Sequence, residues 1–452
     1  MALTGRAGLL AALGALVVLA APDPPMAVLG VALLLAALVV IDLLFAGGVR
    51  GLRFHRDGER LVRLGESVTV GLVVENPGRR RVRGVVRDAW PPSAGSAPRH
   101  LRVDVPSGQR RRLVTTLTPT RRGDREAVTV TVRSLGPLGL AARQGSHVVP
   151  WSVRVLPPFL SRKHLPGKLA RLRELDGRHP ALVRGQGTEF DSLREYVVGD
   201  DVRSIDWRAS ARRSDVVVRT WRPERDRRVL IVLDTGRTSA GRVGVAPGAA
   251  SGVAPGVAPL PGQASGWPRL DWSMDAALLL AALASRAGDR VDFLAYDRTV
   301  RAWLSGASRT DLLSSLVNAM APIEAELVEA DSPGMVAAVL ARAKRRCLVV
   351  LLTDVNAAAM EEGLLPVLPR LSSRHTVLVA AVADPRVAAM ASGRGTAEQV
   401  YDAAAAERLR GERRRITARL RGQGVEVVDA LPEDIAPALA DAYLALKAAG
   451  RL

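Results

Sequence analysis

Cysteine, lysine and aromatic residues are scarce in this chain. Cys347 stands alone, which excludes a disulfide framework and a cysteine-based zinc site within one chain. It opens the apolar run CLVVLLTD, where a thiol acts as a small core hydrophobe, and a lone thiol fits a reducing compartment. Aromatics make up 4% of 452 residues against 48% hydrophobic, so any core must be built from Val, Leu and Ala. The basic residues are arginine except Lys163, Lys168, Lys344 and Lys447. The formal charge is +19, yet the arginines are spread along the chain and no basic-aromatic stacking module accompanies them, so no nucleic-acid role is expected. No G-x-x-x-x-G-K-[ST] loop, H-E-x-x-H pair or G-x-S-x-G elbow occurs, which excludes a P-loop ATPase, a zincin and an α/β-hydrolase elbow.

Against those absences stand two long apolar runs, Ala7 to Ala21 and Met26 to Ala46, separated by PDPP. About 20 residues cross a hydrocarbon core of about 30 Å, so the second run suffices and the first needs its flanks. The pattern predicts a transmembrane helical hairpin over residues 1–48. Arg6 precedes it, and Arg50, Arg53, Arg56, Arg60 and Arg63 follow, with only Asp23 between the runs. The positive-inside rule then places both flanks in the cytoplasm. Cleavage of the first run as a signal peptide is the rival reading, and the second run would still hold the remainder inside. Asp42 falls near the inner end of the second run, where an interfacial position avoids the cost of a mid-bilayer carboxylate, about 2.5–3.5 kcal/mol.

Residues 49–158 read as short alternating runs with turn chemistry between them: SVTVGLVVENPG, RVRGVVRDAWPP, RRLVTTLTPTRRG and AVTVTVRSLGPLGL. This predicts a small antiparallel β-sandwich. A charged connector, 159–227, leads to residues 228–452, where strands and helices alternate. Strands are expected at Val229–Asp234, Arg290–Tyr296, Cys347–Thr353, His375–Ala383 and Val425–Val428. Helices are expected near Trp272–Ala287, Thr310–Ala319, Pro333–Lys344, Gly363–Leu371, Ala397–Arg421 and Glu433–Ala449. That alternation predicts a doubly wound α/β domain whose ligand end lies at the carboxyl ends of its strands, near Asp234 and Asp354. An uncharged Gly/Ala/Pro-rich insertion, 240–268, follows the first strand and reads as a flexible loop. The arginines 408–419, interleaved with Glu407 and Glu412, read as a solvated helix face.

The connector holds the densest set of paired charges, GQGTEFDSLREYVVGDDVRSIDWRASAR, from Gly185 to Arg212. Glu189, Phe190, Arg194, Glu195, Tyr196, Gly199, Asp200, Arg203, Asp206, Trp207, Ser210 and Arg212 stand out in it. Two readings arise. Glu195 and Asp206 could serve as an acid–base pair, or the segment could form a buried ion-pair and Trp-packing network joining the sandwich to the α/β domain. No nucleophile sits beside a base, which favours the network. This segment, the downstream RVLIVLD, the ENPG and GPLGL elements and the closing YLALK helix together resemble domain-of-unknown-function family 58, membrane-anchored bacterial proteins with a von Willebrand factor A-like domain.

The resemblance implies a non-enzymatic, membrane-tethered adaptor at the bacterial plasma membrane. Its implied partners are a MoxR-type AAA+ ATPase and an unknown client protein. It also implies a place to look for Mg²⁺, since von Willebrand factor A-like domains often hold the ion with an Asp-x-Ser-x-Ser loop, a Thr and a later Asp. Here the loop is Asp234-Thr235-Gly236-Arg237-Thr238, Asp354 matches the later acid, and Ser332 is a placeholder for the Thr. Gly236 supplies no oxygen and Arg237 adds a cation able to pair with Asp234. The expected state is therefore a degenerate site at Asp234, Thr238 and Asp354 that needs no cofactor. The alternatives are an Mg²⁺-dependent receptor for a client carboxylate and a hydrolase using the connector's acids.

Overall fold

In the computed structural model the described residues are 1–178, 189–197, 202–213, 215–222, 227–244 and 266–452. The chain divides into two compact units, Met1–Pro158 with Met320–Pro322, and Phe159–Ala319 with Ile323–Leu452.

The first unit opens with β1 (Ala2–Leu3), α1 (Gly5–Ala20) and α2 (Pro24–Phe45). Pro24 and Pro25 start α2 at positions where a proline costs no hydrogen bond. Among the described residues one helix, α2, is long and apolar enough to cross a membrane, with mean hydropathy 2.9 in its best window. At 16 residues α1 spans about 24 Å at 1.5 Å per residue, short of a hydrocarbon core.

Nine strands follow: β2 (Arg53–Gly58), β3 (Leu61–Arg63), β4 (Val68–Glu75), β5 (Val82–Asp88), β6 (Ser96–Ala97), β7 (His100–Val105), β8 (Arg110–Leu117), β9 (Gly123–Leu135) and β10 (Ala141–Leu156). One sheet runs β1-β10-β9-β5-β7, with β3 parallel to β10; the other runs β2-β4-β8-β6. Alternation decides what each strand buries. Val68, Val70, Leu72 and Val74 of β4 point inward, and Leu72 and Val74 meet Val82, Val86, Val103, Val105, Val130 and Val132 from the other sheet. The antiparallel pattern read from the sequence is present. Inside it Asp88, 6% exposed, takes a two-pronged ion pair from Arg56 at 2.7 and 3.0 Å and a bond from Trp90 Nε1 at 2.8 Å.

Asp42 is the joint between α2 and the strands. It is fully buried, but against protein rather than at an interface. Its Oδ1 accepts from the Leu138 amide at 2.7 Å, and Oδ2 accepts from the Leu140 and Ala141 amides at 2.6 and 2.8 Å. These donors belong to the GPLGL turn between β9 and β10. Gly136 opens that turn because a Cβ there would run into the Asp42 carboxylate. The Thr4 hydroxyl, at the start of α1, donates to Gly139 O and Leu140 O of the same turn. Both ends of the helix pair are thus fastened to one turn.

The second unit continues with α3 (Leu165–Arg178), the hairpin β11 (Glu189–Glu195) and β12 (Val217–Arg222) with α4 (Trp207–Arg213) between its strands, then β13 (Arg228–Asp234), the short α5 (Arg237–Ala240), and the two-residue β14 (Arg242–Val243) and β15 (Trp267–Pro268). Next come α6 (Arg269–Arg286), β16 (Arg290–Tyr296), β17 (Val300–Leu304), α7 (Leu312–Met320), α8 (Ser332–Arg342), β18 (Leu348–Leu352), α9 (Leu368–Ser372), β19 (Thr376–Val382), α10 (Pro385–Ala391), α11 (Ala397–Gly422), β20 (Glu426–Ala430) and α12 (Ile435–Ala448). The sheet order is β17-β16-β13-β18-β19-β20, parallel throughout except for β17. Continuous aliphatic runs such as LIVL and LVVLL are buried on both faces, as parallel strands require. Leu230, Val232, Val349, Leu351, Val377 and Val379 face α8, α9 and α11, while α6 and α12 pair with each other and pack on β13, β19 and β20.

The five expected strands are found within two residues of their bounds. The edge strand β17 and the helices α3 and α10 were not anticipated, and the helix expected over Gly363–Leu371 is a π-helical turn, Ala359–Leu364, followed by the short α9. Most of the insertion expected at 240–268 lies outside the described residues.

Two aspartates give testable consequences. Replacing Asp42 by Ala strands three buried amides and is expected to destabilise the first unit by about 3 kcal/mol or more, read as a lowered thermal midpoint or faster proteolysis. Asp275, 3% exposed on α6, accepts from the Ser161 amide and hydroxyl at 3.0–3.2 Å. Burial pushes its carboxyl up from the ordinary 3.8 to about 6, with the Ser161 donors acting in the opposite sense. The folded chain therefore holds this proton to higher pH than the unfolded chain. The contribution to stability is greatest below about pH 4 and is lost as pH rises through about 6. Asp275→Asn should remove about 3 kcal/mol of that decline, so the variant gains on wild type in urea titrations at pH 7.5 and not at pH 4.

Candidate functional site

The strand order reverses between β13 and β18, because the chain winds one way from β13 to β16 and β17 and the other way from β18 to β20. In open α/β sheets ligands bind outside the carboxyl ends of the strands at this reversal. A cleft of about 290 Å³ lies there, lined by Asp234, Thr238, Glu329, Ser332, Thr353, Asn356 and Glu362 among others. Asp234 ends β13 and Thr353 follows β18, so the two strands flanking the reversal meet in this cleft.

Asp234 is 4% exposed and both of its oxygens are engaged. Oδ1 accepts from the Gly236 amide at 2.8 Å; Oδ2 accepts from Thr353 Oγ1 at 2.7 Å and from Thr238 Oγ1 at 3.2 Å. Burial pushes its carboxyl up from the ordinary range, against the pull of those donors, and the Asp297 charge adds to the rise. The next residue extends the tie sideways, since Thr235 Oγ1 donates to Asp297 Oδ2 at 3.0 Å. Asp297 follows β16 and is fully buried, and burial alone would raise its carboxyl. The Arg298 and Thr299 amides, the Arg301 guanidinium at 2.6 Å and Thr235 together hold it below the usual carboxylate range. Three adjacent strand ends are thus linked through carboxylates.

The loop Asp234–Thr238 also carries the chain that covers it. Arg237 N donates to Val328 O at 2.8 Å and Glu326 N donates to Thr235 O at 2.8 Å. Gly236 answers a packing need here: a Cβ would stand 3.0 Å from Val328 O and 3.2 Å from the Ala330 Cβ. Arg237 does not pair with Asp234 as its position in the sequence invited. Its side chain is exposed and lies 3.7 Å from Glu329.

Asp354 is not brought to Asp234, which corrects the grouping of Asp234, Thr238 and Asp354. It turns into a second, larger cleft of about 830 Å³ beyond β18, lined by Arg269, Asp384, Arg413 and Asp429 among others. There Arg413 bridges Asp354 and Asp429, each at 2.7 Å, and Arg269 approaches Asp354 at 3.7 Å. Burial would lower the Arg413 guanidinium, but its two carboxylate partners raise it further above the ordinary arginine value. Arg413 is therefore a half-buried tie rather than part of a solvated face. With Asp354 committed, the inner end of the cleft offers Asp234 and the hydroxyls of Thr238, Thr353 and Ser332, with Glu329 and Glu362 at its mouth. Among the described residues there is no group of three or more His, Cys, Asp or Glu placed to hold a metal ion.

The connector also departs from the buried Trp-packing network. Trp207 is 69% exposed, and Arg203, Arg208 and Arg212 lie at the surface. Glu189 and Phe190 sit in β11 opposite Arg222 and Trp221 of β12, Arg194 donates to Glu195 O at 3.1 Å, and Tyr196 N donates to Val216 O at 2.8 Å. Asp206 starts α4, its Oδ1 accepting from the Arg208 and Ala209 amides at 3.1 and 3.0 Å. Ser210 donates to Asp206 O and accepts from Val217 N at 2.9 Å, which closes the hairpin. Gly199 and Asp200 lie outside the described residues. Cys347 is buried beside His375 at 3.4 Å, and burial pushes its thiol up to about 12, an inert state.

The second unit is thus a doubly wound α/β domain with a polar cleft at its reversal point. The family described as a protein of unknown function, DUF58, matches residues 192–244 and 268–423, which supports the DUF58 family for this chain. No curated protein matches. Among solved structures, the CARDB domain of the PF1109 protein from Pyrococcus furiosus, solved with di-metal ions, is 19% identical over 23% of this chain and 91% of its own, with TM-score 0.19. The ASH/PapD-like domain of human CEP192 is 14% identical over 23% and 84%, with TM-score 0.18. A β-glucosidase from Listeria innocua is 15% identical over 23% and 16%, with TM-score 0.17.

Thr353 was passed over in the sequence in favour of its neighbour Asp354; only the alternation of a strand end distinguishes them. Thr353→Val should leave Asp234 short of a donor and cost about 1–3 kcal/mol, while Thr353→Ser retains most of the stability in the same denaturant titration.

Proposed function

We propose that the protein is a membrane-tethered interaction module rather than an enzyme. In this reading the second unit is a von Willebrand factor A-like domain that offers the cleft at Asp234 to a protein partner. The strand order with its antiparallel edge strand β17 supports that domain reading. The observation that carries the functional reading is the state of Asp234, whose oxygens are both spent on Gly236, Thr238 and Thr353. A carboxylate so engaged is a structural keystone of a recognition surface, and among the described residues no histidine, cysteine or lysine lines the cleft to act as base or nucleophile. The partner class comes from the family resemblance: a MoxR-type AAA+ ATPase, in a chaperone-like or assembly system with a client protein.

The tether is α2, with α1 as the second limb of a hairpin in the bacterial plasma membrane. Thr4 and Asp42 meet at one turn of the sandwich, which supports both ends of the hairpin lying on one side, and the arginines after α2 favour the cytoplasm for that side.

Crosslinked affinity purification from native membranes, with and without ATP, tests this. A MoxR-type ATPase should be recovered in an ATP-dependent way, undiminished by a chelator of Mg²⁺ added after crosslinking. Recovery should drop at least about tenfold when Glu329 and Glu362, exposed at the cleft mouth, are both replaced by Arg. Absence of the ATPase under both conditions sinks the assignment.

A further inference from the structure

The first unit carries a cluster of exposed arginines at the place where α2 ends. Two loops form it, 76–81 between β4 and β5 and 106–109 before β8. Asn76, 1% exposed, knots them together: its side-chain amide donates to Arg80 O, Val105 O and Pro106 O at 2.8, 3.0 and 3.3 Å. Its backbone bonds Gln109 and Gly108, and Ser107 Oγ donates to Gly78 O at 2.7 Å. The knot fixes a platform, the loop that carries Arg79 and Arg80 beside the start of β8, where Arg110 and Arg111 leave the sheet end on its two faces; all four are exposed.

Neighbouring arginines are neutralised. Arg81 is paired with Asp104 at 2.5 Å and Arg112 with Asp57 at 2.6 Å. Glu75, opposite Arg110 across the ladder and next to Arg53 on the other side, is the remaining acid nearby. Among the described residues Arg79, Arg80, Arg110 and Arg111 are in no salt bridge, although Asp104 lies close enough to feel the charge of Arg111.

The platform is held against the end of the apolar helix. Arg80 stacks over the ring of Phe45, the last residue of α2, with its guanidinium 5.5 Å from the ring centre. Gly47 passes so close to Arg81 O that a Cβ would collide with it. Asp42 and the bond from Arg143 Nε to Leu43 O at 2.9 Å fix the same end of α2 to β10 and its turn. The cluster therefore cannot swing away from where the helix emerges.

We propose that Arg79, Arg80, Arg110 and Arg111 form a docking surface for the anionic lipid headgroups around α2, so that the sandwich lies on the membrane rather than hanging from it. The inference rests on the membrane reading of α2. Guanidinium groups grip phosphate oxygens in pairs, and clustered basic residues next to a span gain from an anionic leaflet. Phe45 with Arg80 over it suits the boundary, an apolar ring below and a cation above.

Hydrogen exchange on the full chain in lipid nanodiscs tests it. With phosphatidylcholine containing about one-third phosphatidylglycerol, amides of 76–83 and 106–112 should exchange at least about tenfold more slowly than in phosphatidylcholine alone, an effect weakened by salt. The variant R79Q/R80Q/R110Q/R111Q should lose that difference while keeping wild-type exchange in β9 and β10, which shows that it folds. Inorganic phosphate with the phosphatidylcholine discs should not reproduce the slowing. Equal exchange in both lipids, or slowing by phosphate alone, overturns the proposal. If the chain is instead extracted from native membranes by alkaline carbonate, the membrane reading falls first; a chain that stays in the membrane but shows no lipid dependence sinks this inference alone.

Discussion

The bond from Thr353 to Asp234 joins the two strands between which the sheet changes direction. A parallel sheet offers only backbone ladders between β13 and β18, and those ladders would hold in any register whose apolar pattern matched. Leu230 to Leu233 and Leu348 to Leu352 are all aliphatic and buried, so side-chain pattern alone distinguishes registers poorly. A buried carboxylate that must find its hydroxyl removes the ambiguity, since a slip would take the Thr353 donor from the desolvated Asp234 and leave only the donors of its own loop. Thr235 repeats the logic toward β16 through Asp297. With aromatics at 4%, few large rings are available to key the core by shape, and polar ties take over that task.

The same device recurs wherever an element must be placed. Asp42 fixes α2 to the β9–β10 turn, Asp88 holds Arg56 and Trp90 inside the sandwich, and Asp275 seats the turn at Ser161 on α6. Asp289 receives Lys447 at 2.9 Å and Tyr443 from α12. That last tie gives physical meaning to the closing YLALK, whose Tyr and Lys, four residues apart, share one face of the helix and reach one carboxylate.

What the sequence made legible follows from this division. Periodicity exposed the apolar helices, the alternating strands of the sandwich and the buried runs of the α/β sheet, because burial and backbone geometry impose a pattern on consecutive residues. It missed β17, an edge strand of mixed polarity, and α3, whose charges hid its period. At the site, Asp234 and Thr238 were found because a loop motif keeps them four residues apart. Asp354 was misplaced because a side chain's direction at a strand end depends on what waits for it, here Arg413 on a helix 59 residues away. Trp207 was assigned to packing on its type alone, and it is exposed because α4 is a single short helix within a hairpin.

Arginine abundance looks like a compositional bias of the coding sequence, and part of it has structural content that lysine could not supply. Arg56 meets both oxygens of Asp88 with two nitrogens, and Arg413 spans two carboxylates from different strand ends. Each needs a planar fork with several donors; an ammonium is a single point of charge on a flexible stem. Such pairs sit where a lone carboxylate would be costly, so the cation specifies position more than it adds net stability. The +19 imbalance then resides in arginines that no acid neutralises. In the first unit exposed arginines are spread over strands and loops, and four of them stand at the Asn76 platform near the end of α2, where charge is oriented by a folded knot rather than by a tail. A fold that uses acids to place its elements leaves its excess cations on the surface, and where they are clustered and held fast they define a face of the molecule.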